Sequence, residues 1–260
     1  MAASNSAPVI TVFRGFPEKG CYTWSPFVTK LEARLRFGGI SYSVEAGSPL
    51  KAPRGKVPYI TLMHDGQSQS IGDSGLIINL FIESGYLNDL NSQLSPVEKA
   101  HDISTRALLE DKLYFYQGQE RWIENYYTMR AKILGGLPWP VQVIVGNLAY
   151  NKQVRTLRGQ GTGTFSAGEI TVFRANIWES LNALVSAAQA QYQDREGPFW
   201  LWGGDMPTEA DATLFGFIVS ALICEARSPT TKKVVNSYPA LVSYAGRIHD
   251  KYFPDYERWE

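Results

Sequence analysis

The chain has 260 residues, 44% hydrophobic and 13% aromatic, enough to build the cores of two modest domains or one large one. Lys+Arg and Asp+Glu each number 25, so no basic excess points to nucleic acid. The three histidines, His64, His101 and His249, lack ligand spacing, so no metal is expected, and no apolar run approaches the roughly 20 residues that span a bilayer. Cys21 and Cys224 do not make a disulfide framework, and residues 1–8 carry neither a charged nor an apolar leader pattern. A reducing, cytoplasmic setting without a signal peptide is expected.

In chain order, the β-branched run Val9 to Phe13 reads as a buried strand. A loop with Gly15, Pro17 and Gly20 leads to Ser25-Pro26, an N-cap followed by proline at the first helical position. Phe27, Leu31 and Leu35 recur every four residues, predicting a helix that Gly38-Gly39 stops. Ser41 to Val44 alternates as a second strand. Tyr59 to Met63 and Gln67 to Ile71 form a hairpin about Asp65-Gly66, and a helix runs from Ser74 to Glu83.

Two stretches in this half suggest a site. Pro58 sits in the apolar run Lys56-Val57-Pro58-Tyr59-Ile60, where an interior strand would lose a ladder hydrogen bond. That predicts a strand start or an edge, with a cis peptide before Pro58. The backbone N–H and C=O of Val57 would then be free to pair with an extended peptide. Ile71-Gly72-Asp73-Ser74 opens a helix, whose unpaired N–H groups and positive dipole end suit a carboxylate. Together they make a small site for a short acidic peptide.

Leu87 to Leu94 reads as linker. Ser95-Pro96 begins a long helical pattern through Ile103, Leu108, Leu113, the aromatic run Tyr114-Phe115-Tyr116 and Trp122 towards Met129. Pro138-Trp139-Pro140 breaks it, and Val141 to Leu157 is a further helix. The glycine-rich segment Arg158 to Gly168 follows no strand and carries no Lys-Ser/Thr, so it reads as a loop and not a phosphate cradle. Glu169 to Gln193 is helical. Thr208 with Asp211 three residues on is a capping-box variant before an apolar helix holding Leu214, Phe215 and Ile218, and a last helix runs from Pro239 to Lys251.

Val57-Pro58 followed some fifteen residues later by Asp73-Ser74 resembles the glutathione-binding half of the glutathione transferase superfamily, and the Thr208–Asp211 box resembles its second domain. The resemblance implies an α/β plus all-α chain, with a thioredoxin-like glutathione-binding domain over 1–88 and an all-helical substrate-binding domain over 95–260. Ser25-Pro26-Phe27 and the loop Gly159-Gln160-Gly161-Thr162-Gly163 are similar to the branch that includes the metaxins and the failed-axon-connections proteins. More narrowly, the chain resembles fungal-type glutathione transferases that detoxify trichothecene mycotoxins.

The implied chemistry is activation of the glutathione thiol. Lowering a thiol pKa of about 8.5 by two units takes roughly 2.7 kcal/mol of preference for the anion. A hydroxyl donor contributes about 1.5–3 kcal/mol and a helix N-terminus about 0.3–1. Ser25 stands where the family's activating residue precedes Pro-Phe, and Tyr22 and Thr23 are competing donors on the same loop. Thr23, Trp24, Lys56, Val57, Pro58, Asp73 and Ser74 are the implied glutathione contacts, Lys56 for the glycyl carboxylate, Asp73 for the γ-glutamyl ammonium and Ser74 for its carboxylate. Tyr114, Tyr116 and Trp122 would line an apolar pocket for a small electrophile, an epoxide or activated alkene. Glutathione is the co-substrate, no metal is required, no nucleic acid or membrane span is expected, and a homodimer is one implied assembly. Two alternatives stay open: a metaxin-like interaction protein without catalysis, and a thiol transferase acting through Cys21.

Overall fold

Residues 8–192, 196–227 and 229–259 are described by the structure, a computed structural model. Strand β1 (Val9–Phe13) pairs in parallel with β2 (Ser43–Glu45) and antiparallel with β3 (Tyr59–His64), which pairs antiparallel with β4 (Gln67–Gly72), giving the order β2-β1-β3-β4. Helices α1 (Pro26–Phe37) and α2 (Ser74–Glu83) complete the thioredoxin-like half expected from the sequence. Val12, Ile60, Leu31, Leu35, Ile77 and Phe81 form its core. β2 starts two residues later than the alternation suggests, because pairing with β1 begins at Ser43.

The rest is helical: α3 (Pro96–Ala107), α4 (Tyr114–Gly118), α5 (Tyr126–Leu134), α6 (Trp139–Gln160), α7 (Ala167–Ala190), α8 (Glu209–Ile223), α9 (Pro229–Asn236) and α10 (Pro239–Tyr252). The long pattern from Ser95 is one helical path as far as Glu124, wound wider into π turns at Leu108–Leu113 and Gln119–Glu124, and it breaks at Asn125 (φ −116°, ψ 35°) before α5 carries on past Met129. Such turns rotate the side chains that follow them and recur at functional sites. The loop read from Arg158 is shorter than expected: α6 continues to Gln160 and ends on Gly161, whose φ of 95° is a left-handed cap that glycine adopts without penalty. Helix α9 has no counterpart in the sequence reading. The leader-free stretch 1–8 and the expected helix end at Gln193 lie, except for Pro8, outside the described residues.

Ten of the twelve residues of α1 are buried, since the helix has the sheet core on one side and α8 on the other. Its charged residues are therefore paired inside the protein: Lys30 with Glu110 at 2.5 Å, Arg34 with Glu209 at 2.6 Å, and Glu32 with Arg14 at 3.3 Å. Removing one partner of such a pair is costly because it leaves a buried charge uncompensated. Gly216 of α8 permits the close approach, for a Cβ there would press on the carbonyl oxygen of Pro26 and lie 3.0 Å from the Lys30 amide.

Candidate active site

The register gathers the candidate residues at one end of the sheet. Phe13, the last residue of β1, pairs with Tyr59, the first of β3, and Tyr59 pairs with Gly72, the last of β4. The loop from β1 to α1, the Val57-Pro58 segment and the start of α2 therefore leave the sheet side by side. The Val57–Pro58 peptide is cis. Pro58 accepts from the Asp73 amide at 3.4 Å, and the Val57 side chain packs on Gly15, where a Cβ would lie 3.1 Å from it. Neither backbone polar group of Val57 has a protein partner among the described residues.

Asp73 caps α2. Its Oδ1 accepts from the Gly75 and Leu76 amides at 2.9 and 3.3 Å, and its Oδ2 has no partner among the described residues. Its φ of 85° is unusual for a residue with a Cβ and costs on the order of 1–3 kcal/mol, the kind of strain that collects at ligand sites. Ser74 follows as the first helical residue, buried. Lys56 is exposed on the adjoining loop, with no ion pair among the described residues.

Ser25 is half-buried at the N-cap of α1, and its Oγ accepts from the Val28 amide at 3.4 Å. That bond uses a lone pair and leaves the hydroxyl proton available for donation. Thr23, the next candidate, is buried, and its Oγ1 lies 3.4 Å from the Ser25 amide and 3.5 Å from the Ser25 carbonyl. It shapes the turn that presents Ser25.

Tyr22 does not join the site, a correction to the expectation that it competes with Ser25. Its ring is 7% exposed, lies among Phe215, Phe253, Tyr256 and Trp259, and its hydroxyl is 2.8 Å from Nδ1 of His249. Burial pushes its pKa far above the usual phenol value. Cys21 is half-buried, and burial pushes its thiol up as well, against the thiolate that thiol exchange requires.

The aromatic candidates divide. Tyr114 meets Phe27 edge-on with centroids 4.9 Å apart, two residues beyond Ser25. Trp122 packs against the cluster of Trp24, Met129, Cys224 and Ala226, on the flank of the same loop. Tyr116 instead faces Phe173 of α7. A cavity of about 270 Å³ between the ends of α7 and α10 is lined by Ser186, Tyr192, Phe199 and Arg247 and by none of the candidates.

Sequence reasoning missed Arg121 and Ser220. Both are buried in the helical half, and both donate to the Trp24 carbonyl, at 2.9 Å from Arg121 Nη1 and 2.6 Å from Ser220 Oγ, while Arg121 Nη2 also reaches Ser220 Oγ at 3.0 Å. The carbonyl immediately before Ser25 is thus pinned by the second domain. An arginine inside an aromatic helical run was the available signal, because a charge there must find a partner.

A thioredoxin-like sheet with a hydroxyl at the first helix cap, joined to a helical domain, defines the class of the protein. Residues 26–129 match the family described as "Glutathione S-transferase N-terminal domain", and 198–248 match "Glutathione S-transferase, C-terminal domain". The isoprene-epoxide–glutathione S-transferase of Rhodococcus sp. (strain AD45) is 28% identical over 94% of this chain and 99% of its own length. Failed axon connections of Drosophila melanogaster is 25% identical over 90% of this chain, which spans 55% of that protein, and metaxin-2 of Mus musculus is 27% identical over 81% of this chain and 75% of its own length. Among solved structures, a glutathione transferase family member from Pseudomonas fluorescens pf-5 with two glutathione bound superposes with a TM-score of 0.56 at 16% identity, covering 94% of this chain and 90% of that one, a likeness of fold. The chain belongs to the glutathione S-transferase superfamily, in the branch that includes Failed axon connections and the metaxins.

Proposed function

We propose that the protein binds glutathione at the end of the sheet and transfers its thiolate to a small electrophile, with Ser25 as the activating donor. The observation that carries this is the Ser25 hydroxyl at the start of α1, half-exposed and with its proton uncommitted. A donor at a helix N-terminus favours the anionic sulfur over the neutral thiol, which lowers the thiol pKa and so raises the nucleophile's population at neutral pH. In this reading the free Val57 backbone groups take the cysteinyl backbone, Asp73 Oδ2 the γ-glutamyl ammonium, the Ser74 end of α2 its carboxylate and Lys56 the glycyl carboxylate. Thr23 and Trp24 hold Ser25 in place, and Tyr114 and Trp122 form the apolar wall for the electrophile. The two functional parts, 1–88 and 95–260, divide at the linker Leu87 to Leu94.

An epoxide is the favoured electrophile class, supported by similarity to an isoprene-epoxide transferase along nearly the whole chain. A trichothecene, which carries an epoxide, is the more specific candidate, and detoxification in the cytoplasm the role. Similarity to metaxin-2 favours the competing reading of an interaction protein without catalysis. One experiment separates them: glutathione titration by calorimetry, followed by conjugate detection with a simple epoxide, an activated alkene and a trichothecene. Binding with epoxide conjugation supports the proposal; absence of glutathione binding removes it and leaves the interaction protein.

A further inference from the structure

We propose that the outer face of α5 and α6 docks on an anionic membrane surface. Helix α6 has two faces. Gly146 and Leu157 are buried, with Gly146 against Tyr126 and Arg130 of α5. On the opposite side Val141, Ile144, Val145 and Leu148 are exposed, Ile144 at 63% and Leu148 at 64%. Their spacing of i, i+3, i+4 and i+7 makes a single apolar stripe. Lys152 and Arg155 continue that same stripe at the next two helical positions, both exposed and neither in an ion pair among the described residues. Trp139, 69% exposed, opens α6 between Pro138 and Pro140, on the other side of the helix from the stripe, and Leu137 and Ile133 are exposed before it.

Charge selects the occupant. From 125 to 168 the sequence contains no Asp or Glu, yet it holds Arg130, Lys132, Lys152, Arg155 and Arg158, of which Lys132 pairs with Glu18 at 3.1 Å, in a chain whose charges cancel overall. A second copy would bring two like-charged hairpins together, and an uncharged apolar partner would leave Lys152 and Arg155 without counterions. An anionic bilayer answers both halves of the stripe. Its headgroup boundary accepts the aliphatic residues, and its phosphates and carboxylates attract the cations. No helix among the described residues is long and apolar enough to cross a membrane, so the contact lies on the surface. The inference stands apart from the conjugation chemistry.

Co-sedimentation of the full chain with vesicles of phosphatidylcholine alone, and of an equal mixture with phosphatidylserine, tests this. Binding is expected to the mixed vesicles only, and high salt should release it. Lys152→Glu with Arg155→Glu should weaken the partition by more than about tenfold, and Ile144→Ser with Leu148→Ser should also weaken it. Either no binding to mixed vesicles, or equal binding to both kinds untouched by the charge reversal, overturns the proposal. So does a dimer in light scattering that Ile144→Ser with Leu148→Ser splits, which would assign the face to a second copy. Should the serine variant fail to fold, the charge reversal, made at exposed side chains, decides alone.

Discussion

Two helix starts, at Ser25 and at Thr208, use the same kind of backbone end in opposite ways. At α8 the cap and the first two helical amides are engaged: Thr208 N donates to Asp211 Oδ2 at 2.7 Å, Glu209 N to Asn91 Oδ1 at 3.1 Å and Ala210 N to Asp102 Oδ1 at 2.8 Å. Asp211 also takes Thr208 Oγ1 at 2.8 Å, Leu201 N at 2.9 Å and the Tyr244 hydroxyl at 2.7 Å. At α1 a single long bond from Val28 meets Ser25 Oγ. A saturated, buried cap has no capacity left for a ligand and holds the fold. An unsaturated, half-exposed one can hold a charge that the protein does not itself supply.

The largest expected effect comes from breaking the saturated end. Asp211→Ala leaves the Leu201 and Thr208 amides and the Tyr244 hydroxyl buried without an acceptor, at about 1–3 kcal/mol each. At roughly 2–4 °C per kcal/mol for a chain of this size, the melting temperature should fall by about 10 °C or more, with conjugation per folded molecule unchanged. A melting curve that does not move refutes the structural role. The same residue gives a pH test. Burial pushes the Asp211 carboxyl up to about 6, above the unfolded value of about 3.9. The folded state therefore binds the proton more tightly between those values, so this group's contribution to stability is greatest below about pH 4 and is lost as pH rises through 6. The stability gap between wild type and Asp211→Asn should narrow over that window in denaturant melts; a gap that widens with pH reverses the sign.

Gly216→Ala couples the two ends. Its Cβ would press on the Pro26 carbonyl, a backbone atom that cannot rotate away. Overpacking of that kind costs about 1–3 kcal/mol, and here it also displaces the cap that carries Ser25. Both melting temperature and turnover should drop, whereas a purely structural site would lower only the first.

Ser25→Ala should reduce turnover roughly 10- to 100-fold at neutral pH, because a hydrogen bond to an anion is worth about 1.5–3 kcal/mol. The bound thiol pKa, read from thiolate absorbance against pH, should rise by about one to two units. Glutathione affinity should hold, as should the titration in Tyr22→Phe. If Tyr22→Phe moves the titration and Ser25→Ala does not, the assignment fails. Asp73→Ala comes next, raising the Michaelis constant for glutathione about tenfold. Asp73→Asn, which retains a capping oxygen but not the charge, should reproduce most of that rise with less loss of stability.

What the sequence disclosed follows from range. Local signals were readable: Pro26 at the first helical position, Asp65-Gly66 in its hairpin and the Thr208–Asp211 spacing each act within four residues, and the structure has them. Partners distant in the chain were not. The polar positions Lys30 and Arg34 look like a solvated helix face, and only the packing of the helical half across α1 shows that they are buried and paired, as Glu32 is with Arg14 on the other side of the helix. The Tyr22 hydroxyl looked available because His249, 227 positions away, is invisible locally. Arg121, which holds the Trp24 carbonyl from 97 positions away, was missed for the same reason. The π turns escaped because they change the register of a helix without changing its composition.

The smallest expected effect is at Cys21, and it bears on the alternative of thiol exchange. A reactive cysteine needs its thiolate stabilised by a helix start or a nearby cation. Cys21 lies four residues before the cap of α1, and although Arg14 donates to its backbone carbonyl and draws its thiol pKa down, burial outweighs that attraction and the net direction is upward. At neutral pH the thiol is thus mostly protonated, and its carbonyl, which any residue supplies, makes the structural contact. Cys21→Ser should leave glutathione conjugation within about twofold of wild type, with the same pH–rate profile, and should abolish no glutathione-dependent disulfide reduction, because none is expected. Reduction of a mixed-disulfide substrate that disappears in Cys21→Ser while Ser25→Ala retains it would move the chemistry from the helix cap to the loop, and the unsaturated end of α1 would then be a cap and nothing more.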